Sequence, residues 1–173
     1  HLAGRPDLQR AAVAMALTRP LTVISGGPGT GKTTIVATLI AALALNEPPP
    51  RIALAAPTGK AAARLEAAVA AQAARLSPEM LPRLPDRAMT LHMLLGASRE
   101  GGKFRYHREH PLPYDVVVVD EASMLDLSLA ARLFSALPPD ARIVLLGDKD
   151  QLAAVEAGAV FAELARQTAL PPC

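Results

Sequence analysis

A glycine-rich segment that ends in a lysine carries the clearest chemical signal of the sequence. Residues 26–34 are GGPGTGKTT and fit the pattern G-x-x-x-x-G-K-[ST]. In this pattern the backbone N–H groups of the turn surround phosphate oxygens, Lys32 supplies positive charge to the outer phosphates, and Thr33 offers a hydroxyl to Mg²⁺. The pattern needs a strand before it and a helix after it, and apolar residues 21–24 and the alanine-rich run that follows predict both. The segment therefore predicts a phosphate-binding loop, with a chance glycine turn as the alternative.

Two adjacent carboxylates form the second chemical signal. Asp120 and Glu121 close the segment YDVVVVD-E, in which four consecutive valines indicate a strand that is buried on both faces, as in a parallel sheet between helices. Carboxylates at the end of a buried strand are costly unless they have a partner. Beside a phosphate loop, Asp120 is predicted to hold the Mg²⁺ shell and Glu121 to polarise a water toward the terminal phosphate. The alternative is a strand-end Asp followed by a helix-start Glu.

The elements that position these groups alternate between strand and helix. Strands are predicted over residues 21–24, 51–56, 114–120 and 141–146, and helices over residues 7–18, 32–45, 61–76, 127–137 and 159–167. Such alternation is typical of an α/β fold with a parallel sheet flanked by helices. Ligands bind such sheets beyond the carboxyl ends of the strands. We therefore expect the phosphate loop, residues 57–58, Asp120 with Glu121, and residues 147–151 to meet at one edge of the sheet.

The middle of the chain, residues 77–113, is predicted to be irregular because Pro78, Pro82 and Pro85 exclude a long helix. Residues 90–96 (TLHMLLG) are an apolar island that fits one or two helical turns, begun by a threonine cap and ended by a glycine.

The following residues, 97–110, are polar and basic. From residue 75 to residue 110 seven basic residues stand against four acidic ones, a local net charge of +3. From charge alone a solvated basic loop is the favoured interpretation. No recognisable set of metal ligands includes His92, His107 or His110, so the sequence predicts no metal site among them.

Composition limits the class of protein. With 173 residues, 51% hydrophobic and 3% aromatic, we expect one domain with a core of Ala, Leu and Val. The net charge of +2 is compatible with nucleic acid but does not argue for it. The single cysteine, Cys173, fits a reducing compartment, and no apolar run approaches the 18 residues of a membrane span, so we expect a cytoplasmic protein that binds no membrane. Because residue 1 is His rather than Met, residues 1–173 are expected to be a piece of a longer chain.

Five segments in order resemble the first motor lobe of superfamily-1 DNA helicases of the RecD type, the family of the exodeoxyribonuclease V alpha chain. They are GGPGTGKTT, APTGKAAARL, TLHMLLG, VVVDEASMLD and LLGDKDQLAAVEAG, and the resemblance covers about residues 7–161. It implies a P-loop NTPase lobe of RecA-like, three-layer α/β/α fold, with the 141–146 strand inserted between the 21–24 and 114–120 strands. It also implies ATP and Mg²⁺ as cofactors, 5′-to-3′ movement on single-stranded DNA, and double-strand break processing with RecB and RecC.

The same resemblance assigns roles to single residues. Gln9, which helical periodicity alone leaves as an exposed helix residue, matches the glutamine that recognises adenine. Gln151 matches the glutamine that senses the terminal phosphate, and with Lys32 and Glu121 completes the catalytic set. Nucleotide contacts are implied for Gly27, Pro28, Gly29, Thr30, Gly31, Lys32, Thr33 and Thr34, and metal contacts for Thr33 and Asp120.

Contacts to single-stranded DNA are implied for Pro57, Thr58, Lys60, Thr90 and His92. For Thr58 a helix cap remains an equal alternative. With only five aromatic residues in the chain, DNA binding is expected to rest on backbone phosphates more than on stacking.

The resemblance also implies a second RecA-like lobe of the same protein, whose arginine stabilises charge on the transferred phosphate, so residues 1–173 are expected to form the first lobe alone. Alternatives stay open. They are a stand-alone RecD-like helicase, the helicase part of a conjugative relaxase, an ATP-driven switch that does not translocate, and an interaction module with an inactive nucleotide site.

Overall fold

The computed structural model describes residues 8–27, 29–73, 78–98, 102–148 and 157–168. Within these ranges the helices are α1 (Leu8–Thr18), α2 (Lys32–Ala44), α3 (Gly59–Ala73), α4 (Leu91–Leu94), α5 (Leu127–Ala136) and α6 (Ala157–Thr168). The strands are β1 (Leu21–Ser25), β2 (Ile52–Ala56), β3 (Ala88–Thr90), β4 (Val116–Val119) and β5 (Arg142–Gly147). Two short 3₁₀ segments, Pro78–Arg83 and Ala122–Met124, connect them.

The strands form one parallel sheet in the order β1-β5-β4-β2-β3. The predicted insertion of β5 between β1 and the carboxylate-bearing β4 is therefore confirmed. Ser25 at the end of β1 pairs with Gly147 at the end of β5, and Val119 at the end of β4 pairs with Leu145 and Ala55. Because these carboxyl ends lie almost level, the loops that follow them leave from one edge of the sheet.

The edge strand β3 was not predicted, and the expectation of an irregular segment up to residue 90 was wrong at this point. Leu54 of β2 pairs with Ala88, and Ala56 pairs with Thr90. Three residues are too few to show the two-residue alternation of a strand, so only pairing with β2 reveals it. The helical turn after it is confirmed, because the Met93 backbone N–H donates to Thr90 Oγ1 at 3.2 Å.

Helices cover both faces of the sheet and give the expected three layers. On β4, Val116 and Val118 belong to the apolar cluster with α1, α2 and α3, whereas Val117 and Val119 belong to the cluster with α4, α5 and α6. All four valines are buried, at 1% exposure or less. The inference from the valine run, that both faces of this strand are covered, is confirmed.

Most element ends differ from the predicted ones by a few residues. α3 begins at Gly59 rather than at residue 61, because the Ala62 N–H donates to the Thr58 carbonyl at 3.0 Å. β4 is shorter than residues 114–120, since Asp115 turns its carboxylate to the backbone N–H of Arg51 at 2.7 Å. Of the helices that the structure describes, none is both long and apolar enough to cross a membrane.

Candidate functional site: a phosphate loop facing two carboxylates

The phosphate loop connects the end of β1 to the start of α2. Gly29 and Gly31 have φ values of +74° and +87°. This left-handed region is unfavourable for residues that have a Cβ atom, whereas glycine adopts it at little cost. The Gly26 N–H donates to the Gly147 carbonyl at 3.1 Å, which ties the loop to β5. Thr30 closes the turn by donating its hydroxyl to the Gly27 carbonyl at 2.8 Å. The loop has the glycine-dependent turn that the pattern predicts; Pro28 lies outside the described residues.

Lys32, the first residue of α2, is folded over the loop. Its ammonium donates to the Gly26 carbonyl and, at 3.0 Å, to the Gly27 carbonyl. The positive charge therefore already lies where a phosphate would be held by the loop. An incoming phosphate has to exchange these two carbonyl contacts for its own oxygens. Thr33 and Thr34, the next residues of α2, are exposed.

The carboxylate pair lies where β4 ends. The Asp120 N–H continues the sheet by donating to the Ala55 carbonyl at 2.9 Å, and Asp120 Oδ1 accepts the Glu121 N–H at 2.9 Å. Glu121 has φ +53° and ψ +35° and is the sole non-glycine residue with positive φ in the described ranges. This left-handed conformation costs a residue with a Cβ roughly 1 kcal/mol and is typical of functional turns. It turns the chain from β4 into Ala122–Met124.

A single cavity of about 820 Å³ brings these groups together. Its walls are the phosphate loop, one side of α3, the carboxylate pair and the start of the loop after β5. The lining residues are Gly27, Gly29, Thr30, Gly31, Lys32, Thr33, Ala61, Arg64, Leu65, Ala67, Ala68, Asp120, Glu121 and Asp148. The meeting of the phosphate loop and the carboxylate pair at one sheet edge is therefore confirmed.

The chemistry of this cavity fits a magnesium-bound polyphosphate. Within the described residues no group of three or more His, Cys, Asp and Glu side chains could hold a metal ion by itself. A magnesium ion bound mainly by phosphate oxygens and waters needs only one or two protein ligands. Thr33 and Asp120, which line the same cavity, are the residues that would hold it.

Two charged residues of the cavity were not singled out from the sequence. Arg64 lies on α3 and Asp148 follows β5. A Cβ atom on Gly27 would lie 3.9 Å from Asp148 Oδ2, so this carboxylate flanks the loop. Asp148 belongs to the segment 147–151 that was expected at this edge, and Arg64 is the last basic residue of the quoted segment APTGKAAARL. Neither had a local pattern that indicated its role.

Gln9 is on α1 and its side chain reaches the phosphate loop. A Cβ atom on Gly31 would collide with the amide nitrogen of Gln9. Gln9 is exposed, as helical periodicity predicted, and it also lies beside the loop, as its proposed role requires. Its contact with adenine stays a prediction. Gln151 lies outside the described residues, as do residues 149–156 around it.

The residues expected at DNA follow the ends of the neighbouring strands β2 and β3. Because Ala56 pairs with Thr90, residues 57–60 and 90–92 begin side by side. Lys60 and His92 are exposed, and neither lines the cavity beside the phosphate loop. The Thr58 hydroxyl accepts the Ala61 N–H at 3.2 Å, so its capping role is confirmed, while its contact with DNA stays a prediction.

The basic segment after α4 is mostly exposed, as predicted for a solvated loop, but Phe104 and Tyr106 are half-buried and pack against the apolar cluster of α4, α5 and α6. Ala97 forms a bridge with Phe104, whose ring centroid lies 6.1 Å from that of His92. Tyr106 and His110 stack at 5.3 Å with an interplanar angle of 4°. The segment therefore places one of the five aromatic residues of the chain, Phe104, next to the predicted DNA residue His92.

The profile of a family described as an AAA domain matches residues 9–157. The chain belongs to this family. It is 54% identical to the RecBCD enzyme subunit RecD of Mycobacterium tuberculosis, over 94% of the chain and 31% of that protein. The identity to RecD of Haemophilus influenzae is 45%, over 96% of the chain and 27% of the relative. The ATP-dependent RecD2 DNA helicase of Deinococcus radiodurans is 42% identical over 84% of the chain and 18% of its own length.

The resemblance to RecD-type proteins is thus confirmed, and the chain spans about a third or less of the length of these relatives. Solved structures support the fold. The HK97 bacteriophage large terminase superposes with a TM-score of 0.60 over 94% of the chain and 37% of the terminase, at 16% identity. The Bacteroides Pif1 complex with ADP-AlF4 superposes with a TM-score of 0.53 over 94% of the chain and 36% of Pif1, at 19% identity. The predicted fold of a P-loop lobe is confirmed.

Proposed function

We propose that the chain is the first RecA-like motor lobe of an ATP-dependent 5′-to-3′ DNA helicase of the RecD type. One observation carries this proposal. The cavity joins the loop lysine and threonine, Lys32 and Thr33, to the carboxylate pair Asp120 and Glu121. This is the set of groups that phosphoryl transfer from a nucleoside triphosphate requires, namely a cation, a magnesium shell and a group that positions water.

Each group has a defined part in ATP hydrolysis. The glycine turn and Lys32 hold the outer phosphates, and Lys32 transfers its hydrogen bonds from the loop carbonyls to them. Thr33 and Asp120 would hold Mg²⁺, which would neutralise charge that develops on these phosphates. Glu121 orients the attacking water and accepts its proton. The hydrogen bond from the Glu121 N–H to Asp120 keeps the two carboxylates in a fixed relation.

DNA is assigned to the surface formed by residues 57–60 and 90–92. The Thr58 cap fixes the start of α3 and the Thr90 cap fixes the start of α4, so both groups of residues have defined positions at adjacent strand ends. Lys60 supplies charge for the phosphate backbone. Residues 57–60 and 90–92 follow strand ends at the same edge of the sheet as the cavity, which supports a coupling between hydrolysis and movement along DNA.

The relatives favour the RecD subunit over the stand-alone RecD2 helicase, since the identity is 54% to the former and 42% to the latter. By this proposal the protein works in double-strand break repair in the cytoplasm, with RecB and RecC as partner subunits. A second RecA-like lobe of the same protein supplies an arginine to the phosphate. Residues 1–173 alone are then expected to hydrolyse ATP about 10³- to 10⁵-fold more slowly than the intact enzyme.

The decisive experiment measures ATP hydrolysis by the intact protein with and without single-stranded DNA. We expect hydrolysis that depends on single-stranded DNA, and DNA affinity that falls with rising salt. Lys60→Ala should weaken DNA binding and leave nucleotide affinity unchanged. Lys32→Ala should weaken nucleotide binding and leave DNA affinity unchanged. DNA binding that ignores the nucleotide state would favour a non-translocating ATPase switch, and the absence of nucleotide binding would favour an interaction module.

A further inference from the structure

One wall of the cavity is formed by α3, and this wall carries one charged side chain. The α3 residues that line the cavity are Ala61, Arg64, Leu65, Ala67 and Ala68. Four of the five are apolar and three are alanines, which leave room for a ligand. Arg64 is exposed and lies in the second turn of the helix. It therefore extends from a wall of small side chains.

The charges that line the cavity indicate which kind of ligand Arg64 can bind. The lining contains two cations, Lys32 and Arg64, and three carboxylates, Asp120, Glu121 and Asp148. Lys32 is held by the loop carbonyls, and Asp120 accepts the backbone N–H of Glu121. Within the described ranges, Arg64 forms no hydrogen bond or ion pair with the protein. Its five N–H donors are thus available to an anion bound in the cavity.

Guanidinium and phosphate match in shape as well as charge, because two parallel N–H groups meet two phosphate oxygens. Thr33 and Asp120, the proposed magnesium ligands, line the same cavity as Arg64. A magnesium ion held by these two residues would contact the β- and γ-phosphates, so this end of the cavity would take the outer phosphates. The base, in contrast, is assigned to the side of Gln9, on α1.

We propose that Arg64 binds the terminal phosphate of the nucleotide from the α3 side and makes the site selective for triphosphate over diphosphate. This inference rests on the proposed function. It adds a cation from this lobe to the arginine expected from the second lobe. The phosphate is then held between α3 and the glycine turn, and loss of the terminal phosphate releases the contact to α3.

The test is calorimetric titration of the intact protein with a non-hydrolysable ATP analogue, ADP and AMP, each with Mg²⁺. Arg64→Ala and Arg64→Gln should weaken binding of the ATP analogue about tenfold to a hundredfold, the loss expected for a charge-assisted hydrogen bond. ADP and AMP should bind within about twofold of the unaltered protein, because they lack the contacted phosphate. Arg64→Lys should recover part of the loss, since lysine keeps the positive charge but lacks the two parallel N–H donors of the guanidinium.

Arg19→Ala is the matched control, because Arg19 is exposed at the end of α1 and does not line the cavity. It should bind all three nucleotides as the unaltered protein does. Alanine and glutamine are good helix formers, so α3 is retained, and thermal unfolding verifies this for each variant. Equal losses for the ATP analogue and ADP, or no loss for either, would overturn the role of Arg64 while leaving the nucleotide site intact. Failure of the unaltered protein to bind any nucleotide would overturn the proposed function and this inference with it.

Discussion

The left-handed conformation of Glu121 predicts that the residue proposed to activate water lowers the stability of the fold. Its φ of +53° is unfavourable for a side chain with a Cβ, at roughly 1 kcal/mol. Asparagine tolerates this region better than glutamate or glutamine. Glu121→Asn should therefore raise the free energy of unfolding by about 0.5 to 1 kcal/mol.

Two further substitutions separate chemistry from strain. Glu121→Gln keeps the shape and the backbone strain, so stability should stay within about 0.5 kcal/mol of the unaltered protein. Glu121→Gly removes the strain but adds freedom to the unfolded chain, worth roughly 0.5–1 kcal/mol, so its stability should fall below that of the asparagine variant. All three variants lose the carboxylate and should bind ATP yet lose hydrolysis.

Urea unfolding and ATP hydrolysis by the intact protein are the two measurements. If Glu121→Asn is no more stable than Glu121→Gln, the turn after β4 does not hold residue 121 under strain. If Glu121→Gln hydrolyses ATP at the original rate, Glu121 does not activate the water. The two results are independent, so strain and catalytic role are refuted separately.

Other expectations concern the loop and the two ends of the sheet. Lys32→Ala should weaken both nucleotide binding and hydrolysis in calorimetry and rate assays, and unchanged affinity would show that its ammonium does not reach phosphate. Gly147→Ala should destabilise the protein by about 1–3 kcal/mol in urea unfolding. The Cβ atom of the alanine would lie 2.9 Å from the Ser123 backbone nitrogen and 2.9 Å from Cζ of Phe161. Unchanged stability of this variant would disprove the close packing. Hydrogen bonds from the Arg51 side chain hold the pKa of Asp115 below its usual value of about 3.9. The pair is half-exposed, so its contribution to stability is small. This contribution is present in full above the ordinary pKa of Asp115 and is lost as pH falls through the lower pKa of the folded protein. Asp115→Asn should remove this part of the acid dependence, and identical dependence of the free energy of unfolding on pH, from pH 5 to pH 2, in the variant and the unaltered protein would refute it.

Local patterns in the sequence were sufficient for the phosphate loop, for the alternation of strands and helices, and for the two-sided burial of β4. Each depends on residues that are close along the chain, such as the glycines and lysine of residues 26–34 or the four valines of β4. Backbone sterics and hydrophobic burial act on such short stretches directly. For this reason the loop, the carboxylate pair and their common edge could be predicted without coordinates.

Tertiary structure alone decided which distant side chains share the cavity. Arg64 and Asp148 come from separate elements and meet the phosphate loop because α3 and the end of β5 both border it. The strand β3 exists only through its pairing with β2, and Gln9 reaches Gly31 only through the packing of α1. These relations depend on the packing of the elements around a sheet of order β1-β5-β4-β2-β3. It brings together residues that are far apart in the sequence and that no helical or strand periodicity relates. The sequence determined that a nucleotide phosphate can be held here, and the packing of the elements determined which further charges surround it.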